Sequence, residues 1–514
     1  MSLIRRLRGN RDLWLSVGLF VLTILSRLPF RSQILHHWDS VNFAYAMQEF
    51  DITKDQPHPP GYIAYVWLCR FVDRLFDDAQ LTMVAISIVA SGLAVVALFH
   101  LGRTMFNRRV GAIGALFLLT SPLFWFYGEI ALPHALDALL VTVGAWGLYE
   151  VMQGRKPFLY PTIAVIAIAG GLRQQTLIFL MPVLLFALRR VGWRRFFGAG
   201  VLGAVVCLAW FVPLMTASGG VSEYFRVTGA YTRRFQSTTS VFLGAGWWGV
   251  RRNVVKLVLY TAYGWSLAAA PLGVSLIDRL CRRDRTVRWE RVGFLALWIG
   301  PSLLYYALVH MGQQGLVFVF LPALLLISAE GVDRLWEARA VWGMVAVGTI
   351  LAINSAIFCL VPEYPLGEGG QRLLTREAVE ATDAYYGDRF EAIRKTFPPD
   401  ATAIVAASWH HVEYYLPEYV VLPFDLVAKR EKGAGDPLGN PDGDAIIRGG
   451  DLGLDPEDGE VFFVVFDPAL MDFVQRGGRF SSLPLARGDG LSFWTLGAEE
   501  GFHYGTESFG VDLE

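Results

Sequence analysis

Residues 80–102, QLTMVAISIVASGLAVVALFHLG, contain no Asp, Glu, Lys or Arg. A helix of roughly 20 apolar residues crosses the hydrocarbon core of a bilayer, because only an internally hydrogen-bonded backbone is stable there. This stretch therefore predicts a transmembrane helix. Comparable segments elsewhere predict a polytopic α-helical membrane protein with about eleven spans. The other predicted spans are 12–30, 109–127, 132–152, 158–171, 174–189, 195–216, 253–277, 292–309, 314–331 and 339–360.

The charged residues divide the chain into two parts. Residues 1–360 carry 33 Lys and Arg against 18 Asp and Glu, whereas residues 361–514 carry 12 against 28. With 54% hydrophobic and 18% charged residues, the composition excludes a soluble enzyme, a disordered chain and a disulfide scaffold. We therefore expect a membrane domain over 1–360 and a separate acidic domain over 361–514. Short apolar runs at 402–407 and 461–466 predict buried strands, and hence an α/β fold for the second domain.

The distribution of Lys and Arg among the loops predicts the orientation. If the N-terminus is cytoplasmic, the inner loops hold clusters such as 279–291, whereas the outer loops 128–131 and 310–313 hold no Lys or Arg. An odd number of spans then places the acidic domain outside the cytoplasmic (inner) membrane, with two long outer loops, 31–79 and 217–252. Eight of the nine His residues also fall on this outer side. The asymmetry predicts a functional site at the outer membrane surface.

The first outer loop contains the polar residues best suited to chemistry. Asp39 directly follows a span, and a carboxylate there can remove a proton from an acceptor hydroxyl or hold a metal ion. Its structural alternative is to cap a helix over 40–50. His58 lies in a stiff segment, 57–62, for which a simple turn is the alternative. His37, Asp39 and His58 are ligand types, but their spacing matches no zinc pattern, which leaves a divalent metal ion open and no cofactor certain.

Polar residues in other outer segments extend the candidate site. Glu129 lies in a very short loop, and His134 and Asp137 follow it on one helix face. An interhelical hydrogen bond is the alternative role of these residues. Arg173 is the lone cation of its hairpin and suits a phosphate at the membrane surface, with snorkelling as the alternative. Further candidates for substrate binding are Tyr62, Tyr127, Gln174, Tyr231, Arg233, His310 and Gln313.

Several of these motifs, in this order, resemble the GT-C superfamily of integral-membrane glycosyltransferases. The similarity is to the family 39-like branch of protein O-mannosyltransferases and aminoarabinose transferases, and it spans most of 1–360 but not the tail. The motifs are Trp38-Asp39-Ser40, Pro57-His58-Pro59-Pro60-Gly61-Tyr62, Tyr127-Gly128-Glu129, Gly171-Leu172-Arg173 and His310 to Gly315.

The resemblance implies transfer of one sugar from a polyprenyl-phosphate carrier to an acceptor on the outer face, with Asp39 as base. Many members have two adjacent acidic residues where this chain has Asp39 and Ser40. Glu129 is the candidate for the second carboxylate. We expect an inverting transferase of hexosyl or pentosyl groups in a membrane-lipid environment. Its acceptor is a protein, a lipid or a polysaccharide, and no nucleic-acid partner is expected.

Two other classes of protein remain open on the sequence alone. A transporter or lipid flippase would place ionisable groups near the middle of the membrane and often shows a repeated half. A non-catalytic membrane protein would use its tail to bind glycan or an envelope partner. The predicted outer position of the polar residues and the mismatch of the two halves favour the transferase over the transporter.

Overall fold

The computed structural model describes residues 11–271, 273, 288–364, 372–424, 445–454, 459–474, 480–497, 500–505 and 508–511. The chain divides into two compact units, Met1–Glu380 and Ala381–Glu514. The boundary falls inside one helix, Arg376–Thr396. The first unit is helical and the second contains the strands, which confirms the predicted fold class.

The helices of the first unit follow one another with short connections. They are α1 (Arg11–Arg27), α2 (Trp38–Gln48), α3 (Ile63–Phe76), α4 (Ala79–Met105), α5 (Arg108–Thr120), α6 (Pro122–Tyr127), α7 (His134–Met152), α8 (Leu159–Leu172), α9 (Gln174–Leu188), α10 (Trp193–Ala217), α11 (Val221–Gln236), α12 (Gly246–Trp265), α13 (Trp289–Leu308), α14 (Leu321–Ala338) and α15 (Ala340–Leu360). Within the described ranges, six helices are long and apolar enough to cross a membrane, namely α1, α4, α7, α10, α13 and α15. The helices α8 and α9 are apolar but shorter. The chain is therefore a multi-pass membrane protein.

Two predicted spans are interrupted in the structure. The segment 109–127 forms two helices, because α5 ends at Thr120 and Pro122, which cannot donate an intrahelical hydrogen bond, begins α6. The segment 314–331 starts with a 3₁₀ turn, Gln314–Val319, and becomes α-helical only from Leu321. Both interruptions place irregular backbone where a continuous helix was expected.

The two long predicted outer loops are largely helical. The first contains α2 and α3, and the second contains α11 and the start of α12. The predicted span 253–277 corresponds to the rest of α12, which ends at Trp265. Part of that prediction, at 272 and 274–277, lies outside the described residues.

Helices α4 and α5 contact each other backbone to backbone. A Cβ atom on Gly111 would lie 2.4 Å from the carbonyl oxygen of Phe99, and one on Gly102 would lie 2.6 Å from the Cα atom of Gly111. The hydrophobic effect does not drive helices together inside a bilayer, because lipid tails are as apolar as the helix surfaces. Membrane helices therefore associate through close packing, and small residues allow their backbones to come close.

We expect the substitution Gly111→Ala to lower the free energy of unfolding by about 1–3 kcal/mol, since the added methyl group must separate α4 from α5. The measurement is the Tm of the detergent-purified protein. Gly348→Ala in α15 is the matched control, because a Cβ atom there meets no atom within 4 Å. Equal Tm values for the two variants would contradict the proposed packing.

The second unit is an α/β domain. Its helices are α16 (Arg376–Thr396), which begins before the unit boundary, and α17 (Trp409–Tyr415). Its strands are β1 (Thr402–Ala406), β2 (Val420–Pro423), β3 (Ala445–Ile447), β4 (Glu460–Val465), β5 (Ser481–Pro484), β6 (Gly490–Gly497), β7 (Phe502–Tyr504) and β8 (Phe509–Val511).

The described strands form two sheets. One has the order β2-β1-β4-β6-β5, in which β1 pairs in parallel with β2 and β4 while β6 is antiparallel to β4 and β5. The other is antiparallel with the order β3-β7-β8. The rings of Phe463 and Phe502 stack 3.9 Å apart and join the sheets. Both predicted strands are present, as β1 and β4, in the interior of the larger sheet.

Candidate active site

A cavity of about 290 Å³ lies in the first unit, where several loops and helix ends meet. Its walls come from α2, the segment 57–62, the start of α7, the α8–α9 hairpin, α11, the end of α13 and the turn that follows it. Its polar lining consists of His37, Asp39, His58, Tyr62, His134, Arg173, Gln175, Tyr231, Gln236, Tyr305, Tyr306, His310 and Gln313. Segments far apart in the sequence therefore form one site.

Asp39 lies in the first turn of α2, and its carboxylate is not the helix cap. The cap is His37, whose Nδ1 atom accepts a hydrogen bond from the backbone N–H of Asp39 at 3.1 Å. Asp39 is only 6% exposed, so its carboxylate depends on protein groups in place of water. His37, and not Asp39, therefore caps this helix.

Three side chains surround the Asp39 carboxylate. The amide nitrogen of Gln313 donates a hydrogen bond to Oδ2 at 2.5 Å, and His58 Nδ1 lies 3.3 Å from Oδ1. His37 Nδ1 lies 3.4 Å from Oδ2. Burial raises the pKa of Asp39, but the facing His58 and His37 rings and the Gln313 hydrogen bond outweigh burial, so the pKa lies below its usual range. The carboxylate is ionised at neutral pH.

His134 holds Gln313 in place from the other side. His134 Nε2 lies 2.6 Å from Gln313 Oε1. Since the Gln313 amide nitrogen donates to Asp39, its oxygen must accept, which assigns the proton to His134 Nε2. A Cβ atom on Gly315 would lie 2.6 Å from His134 Cγ, so the 3₁₀ turn packs directly on the imidazole. The chain His134–Gln313–Asp39 thus fixes one oxygen of the carboxylate.

Arg173 forms a buried ion pair with Asp137. Its Nη1 atom donates to Asp137 Oδ2 at 3.0 Å, and Thr176 Oγ1 donates to Asp137 Oδ1 at 2.8 Å. Arg173 is 5% exposed, so it does not snorkel toward water. Its Nε atom is buried and, in the described part of the chain, has no hydrogen-bond partner. An anion in the cavity would meet a guanidinium group whose charge is compensated by Asp137.

Aromatic and imidazole rings complete the cavity. Tyr231 stacks on His58 at a centroid distance of 5.9 Å and an angle of 22°, and the ring of Tyr62 lies 5.0 Å from the same imidazole. His310 Nδ1 lies 3.1 Å from Thr239 Oγ1. Burial, assisted by nearby cations, lowers the pKa of His310 to about 4, so this ring is neutral at physiological pH. These rings suit a neutral, hydroxyl-rich ligand.

Four of the site residues predicted from the sequence do not line this cavity. Gln174 donates to the hydroxyl of Tyr224 at 2.8 Å, and Tyr127 packs edge-on against His134 with centroids 4.7 Å apart. Glu129 is fully buried, and burial raises its pKa well above the usual range. Arg233 is the fourth predicted residue that does not line the cavity. Glu129 is therefore not placed to act as a second carboxylate beside Asp39 in this cavity.

Several residues of the site escaped the sequence-based prediction. Tyr305, Tyr306, Gln175 and Gln236 line the cavity at the ends of α13, α9 and α11. Asp55 lies close enough to interact with His58, while burial raises its pKa. The sequence features that could have identified them are the Tyr and Gln residues at the outer ends of predicted spans and the position of Asp55 just before the segment 57–62.

The candidate site shows no complete ligand set for a divalent metal ion among the described residues. No group of three or more His, Cys, Asp or Glu side chains among the described residues could hold one. His37 and His58 both approach Asp39, but the Nδ1 atom of His37 already accepts the Asp39 N–H and Oδ2 of Asp39 already accepts from Gln313. Two of the candidate ligand atoms, His37 Nδ1 and Asp39 Oδ2, are therefore already engaged in hydrogen bonds.

Comparison with known families gives a partial match. Residues 57–216 match the family model of dolichyl-phosphate-mannose-protein mannosyltransferase. The matched stretch contains His58 and Arg173 but not Asp39 or Gln313. No curated protein matches the chain in sequence.

Comparison with solved structures identifies the fold. ArnT from Cupriavidus metallidurans bound to undecaprenyl phosphate matches with a TM-score of 0.54 and 13% identity, over 95% of this chain and 98% of that chain. This match confirms the predicted fold class, a helical membrane unit followed by a strand-containing domain. The apo state of the same ArnT matches with a TM-score of 0.52 and 14% identity, over 93% of this chain and 97% of that chain. The apo oligosaccharyltransferase of Archaeoglobus fulgidus has a TM-score of 0.48 and 11% identity, over 82% of this chain and 65% of that one.

We expect Gly315→Ala to destabilise the first unit by about 1–3 kcal/mol, because the new methyl group would overlap the His134 ring. The measurement is a double-mutant cycle of unfolding free energies with His134→Ala, which removes the overlapping ring. In the His134→Ala background the same substitution should cost little. A cost that is equal in both backgrounds would contradict the contact between the turn and the imidazole.

Proposed function

We propose that this chain transfers a sugar from a polyprenyl-phosphate donor to an acceptor hydroxyl at the outer face of the inner membrane, with Asp39 as general base. The chain is related to polyprenyl-phosphate-dependent glycosyltransferases. The observation that carries the proposal is the buried, ionised carboxylate of Asp39 in a cavity lined by imidazole, tyrosine and amide groups. This set combines a proton acceptor with partners for sugar hydroxyls.

The donor class is supported by the two comparisons and by the chemistry of the membrane surface. The matching family is named for a dolichyl-phosphate sugar, and the ArnT structure contains undecaprenyl phosphate. A nucleotide sugar is charged and confined to the cytoplasm, whereas a lipid-phosphate sugar can present its anomeric carbon at the outer leaflet. Arg173, which lines the cavity, would then bind the phosphate.

The proposed reaction is a single in-line displacement. The acceptor oxygen forms a bond to the anomeric carbon while the bond from that carbon to the phosphate oxygen breaks, and the hydroxyl proton moves to Asp39. The configuration at the anomeric carbon is inverted. Phosphate is a good leaving group that needs charge stabilisation more than protonation, so a weakly basic carboxylate is sufficient.

The neighbours of Asp39 support different proposed roles for its two carboxylate oxygens. Oδ2 accepts from Gln313, which His134 holds in turn. Oδ1 faces His58 and is the oxygen proposed to receive the proton. The rings of Tyr62 and Tyr231 beside His58 offer surfaces on which a sugar can stack. His58 is thus proposed to bind substrate next to the reacting atoms.

We expect one polyprenyl-phosphate sugar to accumulate in cells that lack this protein, because its consumer is absent. Cells expressing Asp39→Asn should accumulate the same lipid, since loss of a general base lowers the rate by about 10²–10⁴. The measurement is mass spectrometry of the lipid-linked sugars. Asp51→Asn is the matched control, because Asp51 caps a neighbouring turn outside the cavity and Asn retains a cap oxygen.

Identical lipid pools in the wild-type, null and Asp39→Asn cells would remove the support for a transferase. The transporter and binding-protein alternatives would then come first. Accumulation in the null cells alone would retain the transferase and exclude Asp39 as its base.

The pH dependence of the purified enzyme tests the protonation state of Asp39. Because the pKa of Asp39 lies below its usual range, the carboxylate stays ionised as the pH falls from 7 to 5. We therefore expect a nearly constant kcat over this interval, measured with a lipid-phosphate sugar. A kcat that falls several-fold between pH 7 and 6 would assign the base to an imidazole instead.

A further inference from the structure

A second cavity, of about 480 Å³, lies at the opposite end of α7 from the candidate active site. Helix α7 begins at His134, beside the first cavity, and ends at Met152, which lines the second. A helix of this length spans roughly 28 Å at 1.5 Å per residue. The end of α9 and the starts of α8 and α10 complete its walls. It is therefore distinct from the site that contains Asp39.

The charge of this cavity is positive. Lys156, Arg190 and Arg195 line it, and no acidic residue does. Arg190 shares the carboxylate of Glu290 with Arg189, which leaves that group of three charges net positive. In the described ranges, Lys156 and Arg195 have no carboxylate partner. The cavity thus combines at least two uncompensated cations within one concave surface.

The first turn of α10 adds donors to the same cavity. Gly192 lines the cavity and precedes α10, and no side chain caps this 25-residue helix. The first N–H groups of an uncapped helix lack intrahelical partners and form the positive end of its dipole. In α10 the N–H of Arg195 already donates to the carbonyl of Gly192, so the available donors are those that precede it. Such a terminus, next to Arg195, favours the oxygens of a phosphate group.

Large aromatic side chains close in sequence to the cavity-lining residues are exposed, as on a lipid-facing surface. Trp193 is 75% exposed, Phe197 69% and Tyr160 44%. Aromatic residues at the ends of membrane-spanning helices occupy the level of the lipid headgroups. A soluble anion would leave these aromatic side chains exposed, whereas the acyl chains of a lipid would cover them.

We propose that this cavity is a binding site for the phosphate of an anionic phospholipid. Basic pockets between the ends of transmembrane helices have the charge and position for such headgroups. The Lys and Arg distribution predicts that this end faces the cytoplasm, so the ligand would come from the inner leaflet. The proposal does not depend on the proposed sugar transfer.

Native mass spectrometry of the full chain with phosphatidylglycerol or phosphatidylcholine of identical acyl chains tests this site. We expect preferential retention of phosphatidylglycerol. Replacing Lys156 and Arg195 by Gln should weaken that binding about fivefold for each lost cation, in keeping with the contribution of a single basic residue near an anionic surface. Retention of phosphatidylcholine should not change.

A matched pair at Gly192 separates charge from folding. The φ angle of Gly192 is −62°, and a Cβ atom there meets no atom within 4 Å, so a side chain fits without strain. Asn and Asp both cap helices well, so both variants should fold. Either cap side chain would occupy N–H groups of the first turn, so we expect both variants to bind phosphatidylglycerol more weakly than the wild type. Gly192→Asp, which differs from Gly192→Asn by one negative charge, should bind it more weakly still and lose the preference for it.

Equal retention of the two lipids by the wild type, or equal binding by the Asn and Asp variants, would overturn the proposal. Inorganic phosphate serves as a competitor in the same measurement. Binding of phosphate without any preference between the lipids would assign the cavity to a soluble anion and likewise overturn the lipid site.

Discussion

The candidate site in the first unit depends on protein groups that replace the hydration of the buried, ionised Asp39 carboxylate. Asp39 is buried, and a buried charge is stable only when protein groups replace its hydration. Gln313 supplies one hydrogen bond, His134 fixes Gln313, and Gly315 allows the turn to reach His134. This requirement joins α2, α7 and the turn before α14, which are far apart in sequence. The 3₁₀ turn Gln314–Val319 directly follows Gln313 and packs on His134 through Gly315.

Much of the fold could be predicted from the sequence because its signals are local. The apolar composition of segments such as 80–102 and 339–360 predicts helices. The short length and flanking turns of the runs at 402–407 and 461–466 predict strands. Interruptions were harder to predict. The break at Pro122 has a local cause, whereas the 3₁₀ turn at Gln314–Val319 follows from packing on His134 and has no signature in its own residues. The acidic composition of the tail changes near 361, but compact packing divides the chain at Glu380, inside a helix.

The candidate site was predictable in its residue types but not in its pairings. Asp39, His58, Arg173 and Gln313 stand out as polar groups next to apolar spans, and all four line the cavity. The partner of each depends on long-range contacts, for example between Gln313 and Asp39. Glu129 shows the limit of this reasoning, because its loop position gave no indication that it is buried outside that cavity.

The ion pair of Arg173 and Asp137 bears on how such a site would turn over. On the proposed function, the donor and the released polyprenyl phosphate are both anions, so an uncompensated arginine would bind the product as tightly as the donor. Uniform binding of this kind does not accelerate the chemical step. With Asp137 compensating its charge, Arg173 can contact the phosphate without supplying a large net attraction. The site would then orient the leaving group and still release it.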